Sequence, residues 1–197
     1  MTINNLGKIQ KEDCAMIIID MQHDFISVGA PIECPGGRDI VANILKLKAW
    51  AKENHIPVMY TQEMHRPQKI DFGMELERSE PEHCLEGTQG VEIIEALAPS
   101  DDDYVIVKRR YSSFYLTDLD VLMKGLNKKV LIITGAATNV CVYATALDAH
   151  QRDMRSIVIS DCVAGTSRDL HEAFLQNIDY VLGDVVTSDE LIGHFGK

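Results

Sequence analysis

Six short runs of aliphatic and β-branched residues recur along the chain, and none of them alternates with polar residues. They fall at residues 15–20, 57–62, 104–108, 129–134, 156–161 and 183–187. A strand with one wet face shows a period of two. Continuous apolar runs mark strands covered on both faces, which is the condition of a parallel sheet. Helical patterns fill the gaps. Residues 38–54 bring Ile40, Val41, Ile44, Leu45 and Leu47 toward one side, and residues 139–151 and 167–178 are helical by propensity and pattern. Thr117 with Asp120 reads as a capping box ahead of Leu119, Leu122 and Met123. Strands that alternate with helices predict an α/β fold: a three-layer sandwich around a doubly wound parallel sheet of about six strands. A length of 197 residues suits one domain spanning 1–197.

Composition narrows the function. Thirty acidic against nineteen basic residues give a net charge of −11, which repels a phosphate backbone, so nucleic-acid binding is not expected. No run approaches the ~20 apolar residues of a bilayer span, so no membrane partner is expected. The cysteines at 14, 34, 84, 141 and 162 are odd in number and form no C-x-x-C pair, which disfavours a disulfide framework or structural zinc. The polar N-terminal stretch lacks the apolar core of a signal peptide, and a reducing cytoplasm is the expected location.

Residues 63–90 break the rhythm. They carry His65, Arg66, Asp71, Phe72 and His83 without periodicity. A connection of this length inside a compact domain is usually functional or disordered, and its residue types suit a binding loop.

Ligands of open parallel sheets sit at the carboxyl ends of the strands. The first run ends in Asp20, the third in Lys108, and the fourth leads through Thr134-Gly135-Ala136-Ala137-Thr138-Asn139-Val140 to Cys141. Cys141 falls about one turn into a helix, where a thiolate feels the positive helix terminus. An ammonium from Lys108 would lower its pKa further. Asp20 is suited to take the thiol proton and return it to a leaving group, and backbone N–H groups of the turn are suited to hold an oxyanion. Each residue also has an ordinary alternative: a small buried hydrophobe for Cys141, a helix cap for Asp20, a solvated end for Lys108. The other four cysteines are read as buried small side chains.

From about residue 13 onward the chain resembles the isochorismatase-like cysteine hydrolases. The resemblance is carried by Ile19-Asp20-Met21-Gln22-His23-Asp24-Phe25, by Lys108-Arg109-Arg110-Tyr111-Ser112-Ser113-Phe114, and by Gly135-Ala136-Ala137-Thr138-Asn139-Val140-Cys141-Val142. It implies an Asp20, Lys108 and Cys141 triad, and a cis peptide between Ala136 and Ala137. It also implies an oxyanion hole from the N–H groups of Ala137 and Cys141, and assembly as a homodimer or homotetramer. Cys141 points to amide hydrolysis through a thioester, with no cofactor.

Residues 60–73 look similar to those of hydrolases of ureido and carbamoyl compounds, including the biuret and carbamoylsarcosine types. The small-molecule amide would then meet Phe25, Gln62, His65, Arg66 and Phe114. Arg66 fits either a pairing with a substrate carboxylate or carbonyl, or a solvated loop position. Nicotinamidases of this superfamily bind a metal through Asp-x-His and a further His. Here Glu63-Met64-His65 holds the comparable place, the next histidine is His83, and Asp71 is the other candidate third ligand. No metal is expected on that spacing, and a metal-assisted nicotinamidase is the enzyme alternative. A non-catalytic binding protein of the same fold is the alternative of another class. Loss of a triad member would favour it, and all three are present.

Overall fold

The computed structural model describes residues 5–78 and 80–196. Six strands form one sheet: β1 (Cys14–Ile19), β2 (Val58–Glu63), β3 (Tyr104–Lys108), β4 (Val130–Ala136), β5 (Arg155–Ala164) and β6 (Asp184–Val186). Every pairing is parallel and the order is β3-β2-β1-β4-β5-β6. The order reverses between β1 and β4, and the crevice beyond their carboxyl ends is where such a sheet accommodates a ligand.

The helices are α1 (His23–Ile26), α2 (Val41–Glu53), α3 (Leu119–Gly125), α4 (Tyr143–His150), α5 (Arg168–Asn177) and α6 (Ser188–Phe195). β1 shows why its run has no polar positions. Cys14, Met16 and Ile18 pack with Ile44, Leu47 and Leu191 of α2 and α6. Ala15, Ile17 and Ile19 pack on the opposite face with Leu119 of α3 and Ala146 of α4. Both faces of the central strands are therefore dry, and the expected three-layer doubly wound sandwich is the observed one. No helix among the described residues is long and apolar enough to cross a membrane.

Two local expectations differ from the structure. β3 is an edge strand whose Val105 and Val107 are exposed, so its lack of polar alternation does not reflect cover on both faces. The capping box expected at Thr117 does not form. The α3 cap is Asp118, which makes no side-chain cap bond, and the Thr117 hydroxyl donates instead to the Ser113 carbonyl at 2.5 Å. The complete capping box belongs to α6, where Thr187 and Glu190 satisfy each other's backbone N–H groups. That helix was absent from the sequence reading.

The 63–90 segment is held by specific anchors. His65 N–H donates to the Cys84 carbonyl and Glu86 N–H to the His65 carbonyl, both at 2.8 Å. Asp24 accepts from Cys84 N–H at 2.6 Å. These bonds fold residues 64–84 back over the strand ends. β2 and β3 are joined through short 3₁₀ turns rather than by an α-helix.

Candidate active site

Four strand ends supply the site. Asp20 follows β1 with φ 49°, a left-handed conformation that Asp tolerates better than most residues. Thr61 holds it there: its hydroxyl donates to Asp20 Oδ1 at 2.7 Å and accepts from Asp20 N–H at 3.1 Å. Glu63 and Lys108 end β2 and β3 as partners in the ladder. Cys141 lies in a single π turn, Thr138–Val142, that follows β4 and leads into α4. The peptide between Ala136 and Ala137 is cis, as the resemblance implied. Gly135 has φ +104°, and a Cβ there would lie 2.1 Å from the Ile19 carbonyl oxygen, so only glycine lets β4 end this close to β1.

Lys108 is the hub. Its Nζ lies 2.8 Å from Asp20 Oδ2 and donates to Glu63 Oε2 at 2.8 Å, to the Arg110 carbonyl at 3.0 Å and to Cys141 Sγ at 3.6 Å. Cys141 Sγ is also 3.9 Å from Glu63 Oε2. All four side chains are buried. Burial opposes ionisation of Glu63, but the Lys108 ammonium and bonds from His65, His83 and Lys108 outweigh it and hold the carboxyl well below its usual range. Burial pushes the Asp20 carboxyl up, against the pull of Lys108. Burial opposes charge on Lys108 too, yet Asp20, Cys141 and Glu63 raise its pKa well above the ordinary value. Cys141 departs from the sequence expectation. Lys108 does favour its thiolate, but burial and the two carboxylates win and raise its pKa well above that of a free thiol. The site therefore places a thiol next to a buried carboxylate.

A cavity of about 100 Å³ opens in front of Cys141. Phe25, Ala137 and Cys141 line it, as expected, together with His83 and Glu80 from the 63–90 segment. Four of the expected substrate contacts, Gln62, Phe114, Arg66 and His65, lie elsewhere. Side chains alternate along a strand, so Gln62 faces away from Thr61 and Glu63 and donates to the Val91 carbonyl at 2.8 Å. Phe114 is a core residue packed with Leu119 and Met123, with Arg152 above its ring. Arg66 pairs with Asp71 at 2.7 Å on the surface. Asp71 also accepts from Arg109 Nε at 3.0 Å, and so fastens the loop rather than completing a ligand set.

His65 is buried and stacked on Phe72, with centroids 3.8 Å apart. It does not touch the cavity. It joins Glu63 and His83 in a trio whose ligand atoms lie within 4.8 Å of one another. Glu63 Oε1 is 3.2 Å from His65 Nε2 and 3.3 Å from His83 Nε2. His83 Nδ1 meets the Pro81 carbonyl at 2.8 Å, so that nitrogen carries a proton. Its Nε2 then faces a carboxylate with a lone pair unless a second proton or a cation intervenes. Burial opposes the second proton, but Glu63 and the Pro81 carbonyl raise the His83 pKa. One carboxylate and two imidazoles with a commitment of this kind fit a divalent ion. The expectation of no metal rested on the chain distance to His83, and the fold removes that distance.

The isochorismatase domain matches residues 14–190. The chain belongs to the isochorismatase family of hydrolases. Enterobactin synthase component B of Escherichia coli is 32% identical over 183 residues, covering 93% of this chain and 64% of the relative. The chain thus spans just under two thirds of that relative's length. Maleamate amidohydrolase of Pseudomonas putida is 32% identical over 178 residues, covering 89% of this chain and 84% of the relative. The pyrazinamidase of Pyrococcus horikoshii, solved in complex with zinc, superposes with a TM-score of 0.81 at 29% identity, covering 89% of this chain and 99% of that one. Within this isochorismatase-family hydrolase, the positions that sequence reasoning missed are Thr61 and Glu80. Thr61 had a usable signal, since it sits two residues before Glu63 on the same strand face. Glu80 had none, because an irregular segment brings it in, and the same segment carries His83, named from the sequence, to Glu63 against the expectation from spacing.

Proposed function

We propose that this isochorismatase-family hydrolase is a cysteine-dependent amidohydrolase acting on a small carbamoyl or ureido compound. The observation that carries the reading is the placement of Lys108 Nζ 3.6 Å from Cys141 Sγ and 2.8 Å from Asp20, with Cys141 itself lining a largely apolar cavity. Asp20 takes the Cys141 proton as sulfur attacks the carbonyl carbon, and Lys108 offsets the charge that develops on both groups. The N–H groups of Ala137 and Cys141 receive the oxyanion. The C–N bond breaks as Asp20 returns the proton to nitrogen, and ammonia or an amine departs. Asp20 then activates water against the thioester and regenerates the thiol.

Ammonia release from a panel of small primary amides, ureas and nicotinamide tests the reading, with Cys141→Ala as the blank. Turnover of a carbamoyl or ureido compound by the wild type alone supports it. Turnover that survives Cys141→Ala overturns it.

The Glu63, His65 and His83 trio favours a second reading, a metal-assisted amidase of the nicotinamidase type. An ion held by these three residues would supply a Lewis acid beside the cavity. No step of the thiol route depends on it. Exhaustive chelation separates the two: turnover of ureido compounds persists under the first reading and stops under the second.

A further inference from the structure

The cavity in front of Cys141 is lopsided in charge. Among the described residues that line it there is no Lys or Arg, whereas three glutamates reach it: Glu33, Glu63 and Glu80. Two of these are compensated. Glu33 accepts from Arg38 at 2.6 Å and from Gly29 N–H at 2.9 Å. Glu63 is held by Lys108 and the two histidines. Glu80 is different. It is half-buried, and its side-chain bond is a long one, accepted from the Tyr111 hydroxyl at 3.4 Å. Tyr111 lines the same cavity. The lining also includes Phe25, Ile32 and Val140, whose side chains offer a ligand neither donors nor charge. A ligand whose carbonyl carbon meets Cys141 therefore finds in Glu80 an acidic acceptor held by one long bond.

We propose that Glu80, oriented by Tyr111, is the specificity-determining residue of this cavity, and that it selects amides bearing an N–H donor or a cationic group while rejecting those bearing a carboxylate. The word amide rests on the function proposed above; the charge preference of the cavity does not. Arg66, the residue expected to neutralise a substrate carboxylate, is tied to Asp71 on the surface, and among the described residues no other Lys or Arg takes that place; His83, which also lines the cavity, is engaged by Glu63. A carboxylate in this space would lie near Glu80 and Glu63 with their field little screened by water. An ammonium, amidine or ureido N–H would complete the Glu80 hydrogen bonding.

Charged and neutral thiol reagents of the same size read this preference directly. Rates of Cys141 alkylation by iodoacetate and by iodoacetamide are measured by peptide mass spectrometry. Each is divided by that reagent's rate with a small free thiol at the same pH. The expected result is that the normalised iodoacetate rate is lower by about ten-fold or more in the wild type, and that Glu80→Gln largely removes the difference. Equal normalised rates, or a preference untouched by Glu80→Gln, would overturn the proposal. Paired turnover of succinamide and succinamate extends the test, with the wild type preferring succinamide and Glu80→Gln narrowing the gap in kcat/KM. If alkylation shows the preference but no amide is turned over, the amidohydrolase reading fails and the selectivity stands. If amides are turned over without the preference, the selectivity alone fails.

Discussion

Lys108 Nζ donates to Glu63 Oε2 at 2.8 Å from the neighbouring strand of the ladder, in a space closed to water. Its second carboxylate, Asp20, lies at the same distance from the other side. One ammonium thus holds two buried carboxylates apart beside a thiol. Removing it leaves two buried carboxylates without their shared cation, held only by the Thr61 and histidine hydrogen bonds, and a buried pair broken in this way costs ~3–5 kcal/mol.

Lys108→Met is therefore expected to lower stability by about that amount as well as abolish turnover, and urea unfolding at pH 7 measures it. The pH dependence has a definite sign. In the wild type, Glu63 has a depressed pKa, so its contribution is present above the usual carboxylate range and is lost as pH falls through the folded value. In the variant, burial without the ammonium raises both carboxyl pKa values, so stability is gained as pH falls. The gap between the two proteins is expected to narrow in acid. A gap independent of pH would contradict this.

Thr61 positions Asp20 through two hydrogen bonds, at 2.7 and 3.1 Å. Thr61→Val keeps the volume and removes both, leaving a buried N–H unpaired at a cost of about 1–3 kcal/mol. A fall in kcat of about ten-fold or more is expected, with Thr61→Ser retaining activity. Equal kcat in wild type and Thr61→Val would assign the hydroxyl to structure alone.

Gly135→Ala should not yield the native fold. Its Cβ would meet the Ile19 oxygen at 2.1 Å and its nitrogen at 2.6 Å, and φ is +104°. The backbone of β1 cannot move aside without shifting Asp20. Destabilisation above about 3 kcal/mol, or loss of soluble protein, is the expected outcome. A normal unfolding midpoint would show that the approach of β4 to β1 is looser than described.

Far from the site, Asp103 fastens the loop before β3. It pairs with Lys48 at 2.9 Å and with Lys52, and accepts from Ser100 N–H and hydroxyl, both at 2.8 Å. Burial opposes its ionisation, but these partners bring its pKa down to about 2. A depressed carboxyl stabilises the fold above its unfolded value and ceases to do so as pH drops through the folded one. Asp103→Asn is expected to cost on the order of 1 kcal/mol at pH 7, with the difference fading between about pH 4 and pH 2. Thermal unfolding across that range checks it.

The fold was legible because both-face burial writes itself into the runs of β1 and β4, and Asp20, Lys108 and Cys141 could be singled out because strand ends are the one rim such a sheet offers, with the family resemblance joining them into one set. The misreadings have equally local causes. Gln62 sits between Thr61 and Glu63, and strand parity turns it away from the site. Phe114 follows a motif residue closely enough to pass for a substrate contact, but it belongs to the core beside Leu119. α6 carried its signal in Thr187 and Glu190, which went unread. Glu80, and the placement of His83 beside Glu63, were beyond sequence reasoning, since contacts such as Asp24 with Cys84 and Arg109 with Asp71 set the path of their segment, and no periodicity encodes those.

Covalent catalysis by Cys141 is tested most directly by the mass of the intact enzyme, quenched in acid during turnover of the best amide found. A thioester route predicts an adduct equal to substrate minus ammonia or amine, mapped to Cys141 and absent from Cys141→Ala. Turnover at full rate with no adduct on Cys141, or with Cys141→Ala still active, would contradict it.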